Sequence, residues 1–401
     1  MPNRLLQTLF QTYRSELDQQ PQPLKNRKAI DAITGCRTPS MGVSRYRCTQ
    51  GHGQWEHYHS CRHRSCYLCA EHRRVEWIVQ QKKRLLAIPH FHCIFTLPHE
   101  YLSLWRYNEA LFTRLLFRAS QESLLELLSD QKYGGVKPGL LMTLHTWGRR
   151  LNLHPHIHCL VTAGGMTASK EWKPIGDYLL PGKVLMQVYR GKVQAFLKSA
   201  FEQGELVLPP DLSPQAFLNL RRCVFKKSWS VRIEERYAHG KGVMLYLARY
   251  CRGGPLDPKQ LKRWSGNRVE MSYFDHRKQR AATQWLDQRV LIQRLLAHVP
   301  AEGVHTIRHA GLYGSACKDY ESLLAQFGNL DGQNVKTCVD PIHRLVCCKQ
   351  CGEPGLLMGQ RWRQSKKGIS YLKKGVRGRA GGSVQQSVER DLERGRLDDT
   401  S

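Results

Sequence analysis

The chain has 401 residues, 41% of them hydrophobic, which suits a buried core and two to three domains and excludes wholesale disorder. Lys and Arg number 62 against 33 Asp and Glu, a net charge of +29, which favours a polyanionic partner, nucleic acid first, over an acidic protein surface. No window approaches ~18 consecutive apolar residues, and the first twenty residues mix charge with Leu and Phe, so neither a membrane span nor a secretory leader is expected and the chain reads as cytosolic.

In chain order, Leu5, Leu6, Leu9, Phe10, Tyr13 and Leu17 recur at helical spacing until the Gln/Pro stretch from Gln19, giving an N-terminal helical segment over 1–25. Residues 26–69 are poor in apolar runs and rich in Cys, His, Arg and Gly, the composition of a small module that needs a metal to fold. With a basic helix over 73–86, this predicts a zinc-binding, DNA-recognising domain over 26–85. Phe91, Cys93, Phe95 and Leu97 alternate, predicting a strand over 90–97 that opens a larger domain over 86–300. Next come a long helix over 104–128, neighbouring strands over 140–147 and 154–162, a helix over 184–201, a strand over 229–235, a helix over 242–251 and a strand over 268–274. Strands joined mainly as hairpins and interleaved with helices predict an α+β fold, an antiparallel sheet covered by helices. A C-terminal module over 301–359 follows. Residues 361–379 then carry eight basic and no acidic side chains, so 360–401 is expected to be a disordered basic tail.

Nine of the fourteen cysteines fall between Cys36 and Cys69 or between Cys338 and Cys351, a clustering that signals zinc in a reducing compartment. Within the first cluster, Cys48-x3-His52 is followed by Cys61, His63 and Cys66-x2-Cys69, two close ligand pairs separated by about a dozen residues. The expected closed site is Cys48, His52, Cys66 and Cys69, with Cys61 or His63 as replacements for His52. Cys338, Cys348 and Cys351, near Cys347 and His343, form a weaker candidate for a second zinc site. A further signal is HPHIH at 154–158: on a strand His156 and His158 share one face while Ile157 points into the core, so both imidazoles converge on one ion. His145, on the neighbouring strand, is the expected third ligand, with Glu234 or Glu235 as competitors. Finally, Tyr246 and Tyr250 stand at i and i+4 on one helix face, beside Arg249 and Arg252. A phenol has an unperturbed pKa of about 10, so it acts as a nucleophile only where cations stabilise the phenolate; flanking arginines and a histidine-bound ion supply them.

The segments SCRHRSCYLC, FHCIFTLPHE, LHTWGRRLNLHPHIHCLVTAGG and YLARYCRGGPL, in this order and spacing, resemble the two-tyrosine rolling-circle transposases of bacterial insertion sequences, the insertion sequence 91 type. The resemblance spans roughly residues 45–260 and implies an HUH endonuclease, named for a His-hydrophobe-His strand, preceded by a zinc finger. It assigns His156 and His158 to a catalytic Mg²⁺ or Mn²⁺, Tyr246 and Tyr250 to nucleophilic attack on single-stranded DNA at transposon ends and target, and Zn²⁺ to a structural role. The finger departs from the family's pattern in carrying His52 and Tyr67. A plasmid replication initiator or relaxase shares the nuclease core, and a non-catalytic zinc-finger regulator shares the charge and cysteines. A regulator has no reason to keep both the His pair and the Tyr pair.

Overall fold

The computed structural model describes residues 4–237, 241–246, 254–275, 278–330, 346–362 and 372–374. The described helices are α1 Leu5–Thr12, α2 Arg14–Gln19, α3 Leu24–Gly35, α4 Tyr67–Arg84, α5 Leu102–Tyr107, α6 Glu109–Ser129, α7 Gly182–Glu202, α8 Pro214–Lys226, α9 Lys241–Tyr246, α10 Gln288–Ala297 and α11 Tyr320–Phe327. The strands are β1 Gly42–Arg47, β2 Gln54–Tyr58, β3 His90–Thr96, β4 Lys137–Trp147, β5 Leu153–Met166, β6 Trp172–Pro174, β7 Val231–Tyr237, β8 Leu261–Ser265, β9 Arg268–Asp275, β10 Arg280–Asp287, β11 Ile307–Gly311, β12 Leu356–Trp362 and β13 Leu372–Lys374. Two compact units result, Met1–Cys36 with Ser60–His343, and Arg37–His59 with Arg344–Ser401. The cysteine-rich stretch expected to form one module is therefore divided between both, because β1 pairs with β12 from far along the chain.

The first unit is built on an antiparallel sheet in the order β11-β4-β5-β3-β7, with β6 paired to β5. Alternation gives this sheet two unlike faces. On one, Phe91, Cys93 and Phe95, Leu140, Met142 and Leu144, and Ile157, Cys159 and Val161 enter the principal core, against which α6 and α7 pack. The opposite face carries His92, His145, His156 and His158 toward one end, and Leu141 and Leu160 toward the other. Those two leucines join a smaller core with Ile78 of α4, Tyr246 of α9 and Leu323 of α11. A meander, β8-β9-β10, packs with α10 and the N-terminal helices into a further core that includes Cys36, Cys66 and Cys69. The α+β fold is as expected from the sequence. Among the described residues no helix is long and apolar enough to cross a membrane.

The expected helix over 104–128 is two helices. Asn108 breaks it: its Nδ2 donates to the carbonyls of Leu104, 2.9 Å, and Val207, 2.7 Å, and its Oδ1 accepts from the Val207 N–H at 2.8 Å. Helix α8 is not among the elements expected from the sequence, although Ser213 caps it by accepting from Ala216 N–H, with Pro214 at its first position. Part of the expected basic tail is ordered, since β12 reaches Trp362 and β13 pairs with it; the rest of 360–401 lies outside the described residues.

Candidate functional site

The histidine cluster follows from register. His145 of β4 lies directly opposite His156 of β5, and Thr143 opposite His158, so one hairpin delivers three imidazoles to one face. Their ligand atoms lie within 4.8 Å of one another, and no Glu or Asp joins them among the described residues. Of the two carboxylate alternatives, Glu234 is exposed on β7 and the side chain of Glu235 lies outside the described residues. Trp147 stacks on His145 at 4.4 Å between ring centroids and fixes its plane.

The hydrogen bonds define which nitrogens are available. His156 Nδ1–H donates to the His154 carbonyl at 2.6 Å, which leaves Nε2 unprotonated in the neutral ring. His158 Nδ1 lies 2.8 Å from His92 Nε2, and His92 Nδ1 lies 3.2 Å from Tyr237 Oη. Two chains of opposite direction satisfy these contacts; with an ion on Nε2 of His158 the chain runs from His158 Nδ1–H to His92 Nε2 and from His92 Nδ1–H to Tyr237 Oη. Nε2 of His158 faces Nε2 of His156 at 3.0 Å. Without an ion a proton on His158 Nε2 makes this an N–H···N hydrogen bond to His156, and an ion would take that proton's place between the two nitrogens. Two ligands at right angles, each about 2.1 Å from an ion, are separated by about 3.0 Å, the spacing of an octahedral Mg²⁺ or Mn²⁺ site. Protonation does not compete, since burial followed by the nearby His145 pushes His156 down to about 3, while burial holds His158 well below the ordinary imidazole range and lowers His92 to about 4. The residues present therefore fit a divalent cation.

His92 is absent from the set singled out in the sequence. The signal was available, because Phe91, Cys93 and Phe95 face the core and the strand period then turns His92 to the face of His156 and His158. Tyr246, at the end of α9, is buried, and its ring meets His92 edge-on at 5.0 Å. Tyr250, Arg249 and Arg252 lie outside the described residues. Beside His145 a cavity of roughly 280 Å³ is bounded in part by Trp147, Tyr67, Arg64 and Arg73.

The expected zinc set, Cys48, His52, Cys66 and Cys69, is not brought together. Cys66 and Cys69 instead join Cys36 and Cys61, with all four Sγ atoms within 4.8 Å of one another. Helix geometry builds this cluster: Cys36 follows the last turn of α3, Cys66 precedes the first turn of α4, and Cys69 lies within it. The Sγ–Sγ distances of 3.5 Å from Cys36 to Cys69 and 3.7 Å from Cys61 to Cys69 compare with about 3.8 Å for tetrahedral zinc at a Zn–S length of about 2.3 Å. Backbone N–H groups of Cys61 and His63 point at Sγ of Cys36 and Cys61, which favours thiolates. His63 is not a member; its Nδ1 accepts from Ser65 N–H. Cys61, held in reserve for His52, is a full member, and Cys36 escapes the spacing pattern because it lies far upstream of the paired ligands. Cys48 and His52 belong to the other compact unit. There they meet Cys348 and Cys351, whose expected partner Cys338 lies outside the described residues.

Comparison with known proteins gives two family matches, one N-terminal and one over the histidine-bearing strands β4 and β5. A family model described as "Transposase zinc-binding domain" matches residues 5–97, and one described as "Putative transposase" matches residues 139–320. "Putative transposase y4qJ" of Sinorhizobium fredii is 33% identical over 321 residues, covering 77% of this chain and 79% of that protein. "Transposase for insertion sequence element IS801" of Pseudomonas savastanoi pv. phaseolicola is 29% identical over 303 residues, covering 73% of this chain and 72% of that protein. No solved structure gives a significant match. The chain belongs to the insertion sequence 91 type of transposases, with an N-terminal zinc-binding domain.

Proposed function

We propose that the protein nicks and rejoins single-stranded DNA at insertion-sequence ends through covalent 5′-phosphotyrosine intermediates, as in rolling-circle transposition. The observation that carries this reading is the cluster of His145, His156 and His158, with Nε2 of His156 and His158 3.0 Å apart and Tyr246 packed against His92 behind them. His156, His158 and His145 hold Mg²⁺ or Mn²⁺, which when bound supplies Lewis-acid polarisation of the scissile phosphate. The phenolic oxygen of Tyr246 or Tyr250 attacks phosphorus, the bond to the 3′ oxygen breaks, and that oxygen leaves as a hydroxyl after taking a proton. A second tyrosine makes the second cut while the first still holds its DNA end, and a 3′-hydroxyl reverses the ester to join strands. Arg249 neutralises phosphate charge. The aromatic and arginine side chains around the cavity beside His145 suit an unpaired strand, by base stacking and phosphate contact. The net charge of +29 suits work on chromosomal DNA in the cytoplasm, and target DNA is the second substrate.

The test is covalent attachment of the full chain to a 3′-labelled oligonucleotide carrying an element end, since the 5′-phosphotyrosine bond retains the fragment on the 3′ side of the cut. The adduct is expected with Mg²⁺ or Mn²⁺, to vanish in excess EDTA, and to be absent in Tyr246→Phe plus Tyr250→Phe while strand binding persists. An adduct that survives in the double variant refutes the tyrosine assignment, and one that survives in EDTA refutes the role of the ion.

A further inference from the structure

The second compact unit has a four-stranded antiparallel sheet in the order β13-β12-β1-β2, made of two segments about 300 residues apart in the chain. Little among its described residues holds it by burial. Among its described residues the buried apolar side chains are Val43, Cys48 and Cys348, whereas Leu356, Leu357 and Met358 of β12 are exposed. A sheet of this size without a core needs a covalent or metal staple.

The geometry points to a second Zn²⁺ site formed by Cys48, His52, Cys348 and Cys351, a zinc ribbon whose halves come from opposite sides of the transposase core in the sequence. The ligand atoms all lie within 4.8 Å of one another. Cys48 Sγ is 3.5 Å from both Cys351 Sγ and His52 Nδ1, and Cys348 Sγ is 3.8 Å from His52 Nδ1. Tetrahedral zinc with Zn–S near about 2.3 Å and Zn–N near about 2.1 Å sets S–S at about 3.8 Å and S–N at about 3.6 Å. A disulfide would hold the sulfurs at about 2.05 Å, and the cysteines are free.

Each half is a knuckle of similar construction. In the first, Gln50 N–H points at Cys48 Sγ at 3.3 Å, and the Cys48 N–H donates to the Gly53 carbonyl across the turn joining β1 to β2. In the second, the Cys348 N–H donates to the Glu353 carbonyl, and the Gly352 N–H to the Cys348 carbonyl. The last ligand of each knuckle is followed by a glycine at positive φ, Gly53 at 107° and Gly352 at 77°, where a Cβ would be strained. Two turns of one design, facing each other across the β1–β12 ladder, give a closed four-ligand set. The matched zinc-binding domain ends at residue 97, so half of this site lies beyond it.

The experiment is zinc content and X-ray absorption on the full-length chain in a His156→Ala, His158→Ala background, which removes the two imidazoles of β5 as competing ligands. Two zinc ions per chain are expected, with an average shell of seven sulfurs to one nitrogen, since one site has four thiolates and the other has three thiolates and one imidazole. Cys348→Ser with Cys351→Ser should leave one zinc with an all-sulfur shell. His52→Cys should retain both ions and lose the nitrogen signal. One zinc per chain, or an all-sulfur shell before any change at His52, overturns the proposal. Both readings come from the unmutated cysteines, so poor folding of the serine variant leaves the test intact.

Discussion

With an ion on Nε2 of His158 the proton of that ring sits on Nδ1, and His92→Phe removes its acceptor while keeping a flat ring against Tyr246 and Tyr237. In the structure that acceptor is 2.8 Å away, and His158 is only 4% exposed, so water cannot readily replace it. A buried donor left without a partner costs about 1–3 kcal/mol, which corresponds to roughly a 5- to 150-fold change in an equilibrium constant. Loss of a hydrogen-bond partner behind a metal-ligating histidine typically weakens the ion by about 10–100-fold, so the two routes agree. Titration of DNA cleavage with Mn²⁺ should therefore show the midpoint displaced upward by about 10–100-fold in His92→Phe, while the rate at saturating ion changes much less. His92→Gln, whose amide oxygen can accept the same proton, should recover part of the loss. An unchanged midpoint in His92→Phe, or a Gln variant as impaired as Phe, refutes the hydrogen-bond chain from Tyr237 through His92 to His158.

Acid should destabilise the first unit through two buried histidines outside the cluster, His90 and His298, both lowered to about 4 by burial. Both are neutral in the fold, and the unfolded chain takes up the protons below about 6.5, so their contribution is complete above that pH and is lost as pH falls toward about 4, at roughly 3 kcal/mol per ring. Urea midpoints at about pH 7.5 and pH 5 measure this, and an equal or higher midpoint at the lower pH contradicts it. Asn108→Ala should cost about 2–3 kcal/mol, because the carbonyls of Leu104 and Val207 and the Val207 N–H lose the amide that ties the end of α5 to Val207. Thermal unfolding checks this, and a change below about 0.5 kcal/mol, as at an indifferent surface site, would mean that the break between the helices is set elsewhere.

What is legible in the sequence is what local periodicity controls. The strand period puts Ile157 into the core and His156 and His158 on the opposite face, and a short hairpin brings His145 opposite His156. Placing His92 requires knowing that β3 lies on the other side of β5, a sheet order that no local pattern specifies. The break at Asn108 depends on Val207, almost a hundred residues away, so periodicity alone reads straight through it. The zinc ligands are misgrouped by spacing for a related reason. Two sites interleave in the sequence as Cys36, Cys48, His52, Cys61, Cys66 and Cys69, and spacing favours neighbours over partners. The one local clue is the glycine after His52 and after Cys351, which marks two matching turns. Ser213-Pro214, by contrast, is a helix start written locally, in the cap and the first position of α8.

The pairing of β1 with β12 has a consequence for synthesis. At about 5–20 residues per second, the hairpin of β1 and β2 waits roughly 15–60 s on the ribosome before Leu356–Trp362 exists to cover its open side. Closing a loop of some 300 residues also costs about 5 kcal/mol in chain entropy beyond a constant term. During that interval β1 presents an unpaired edge to other nascent chains, a route to misassembly. Messages cut short before this point would release the histidine-bearing sheet with an incomplete companion sheet.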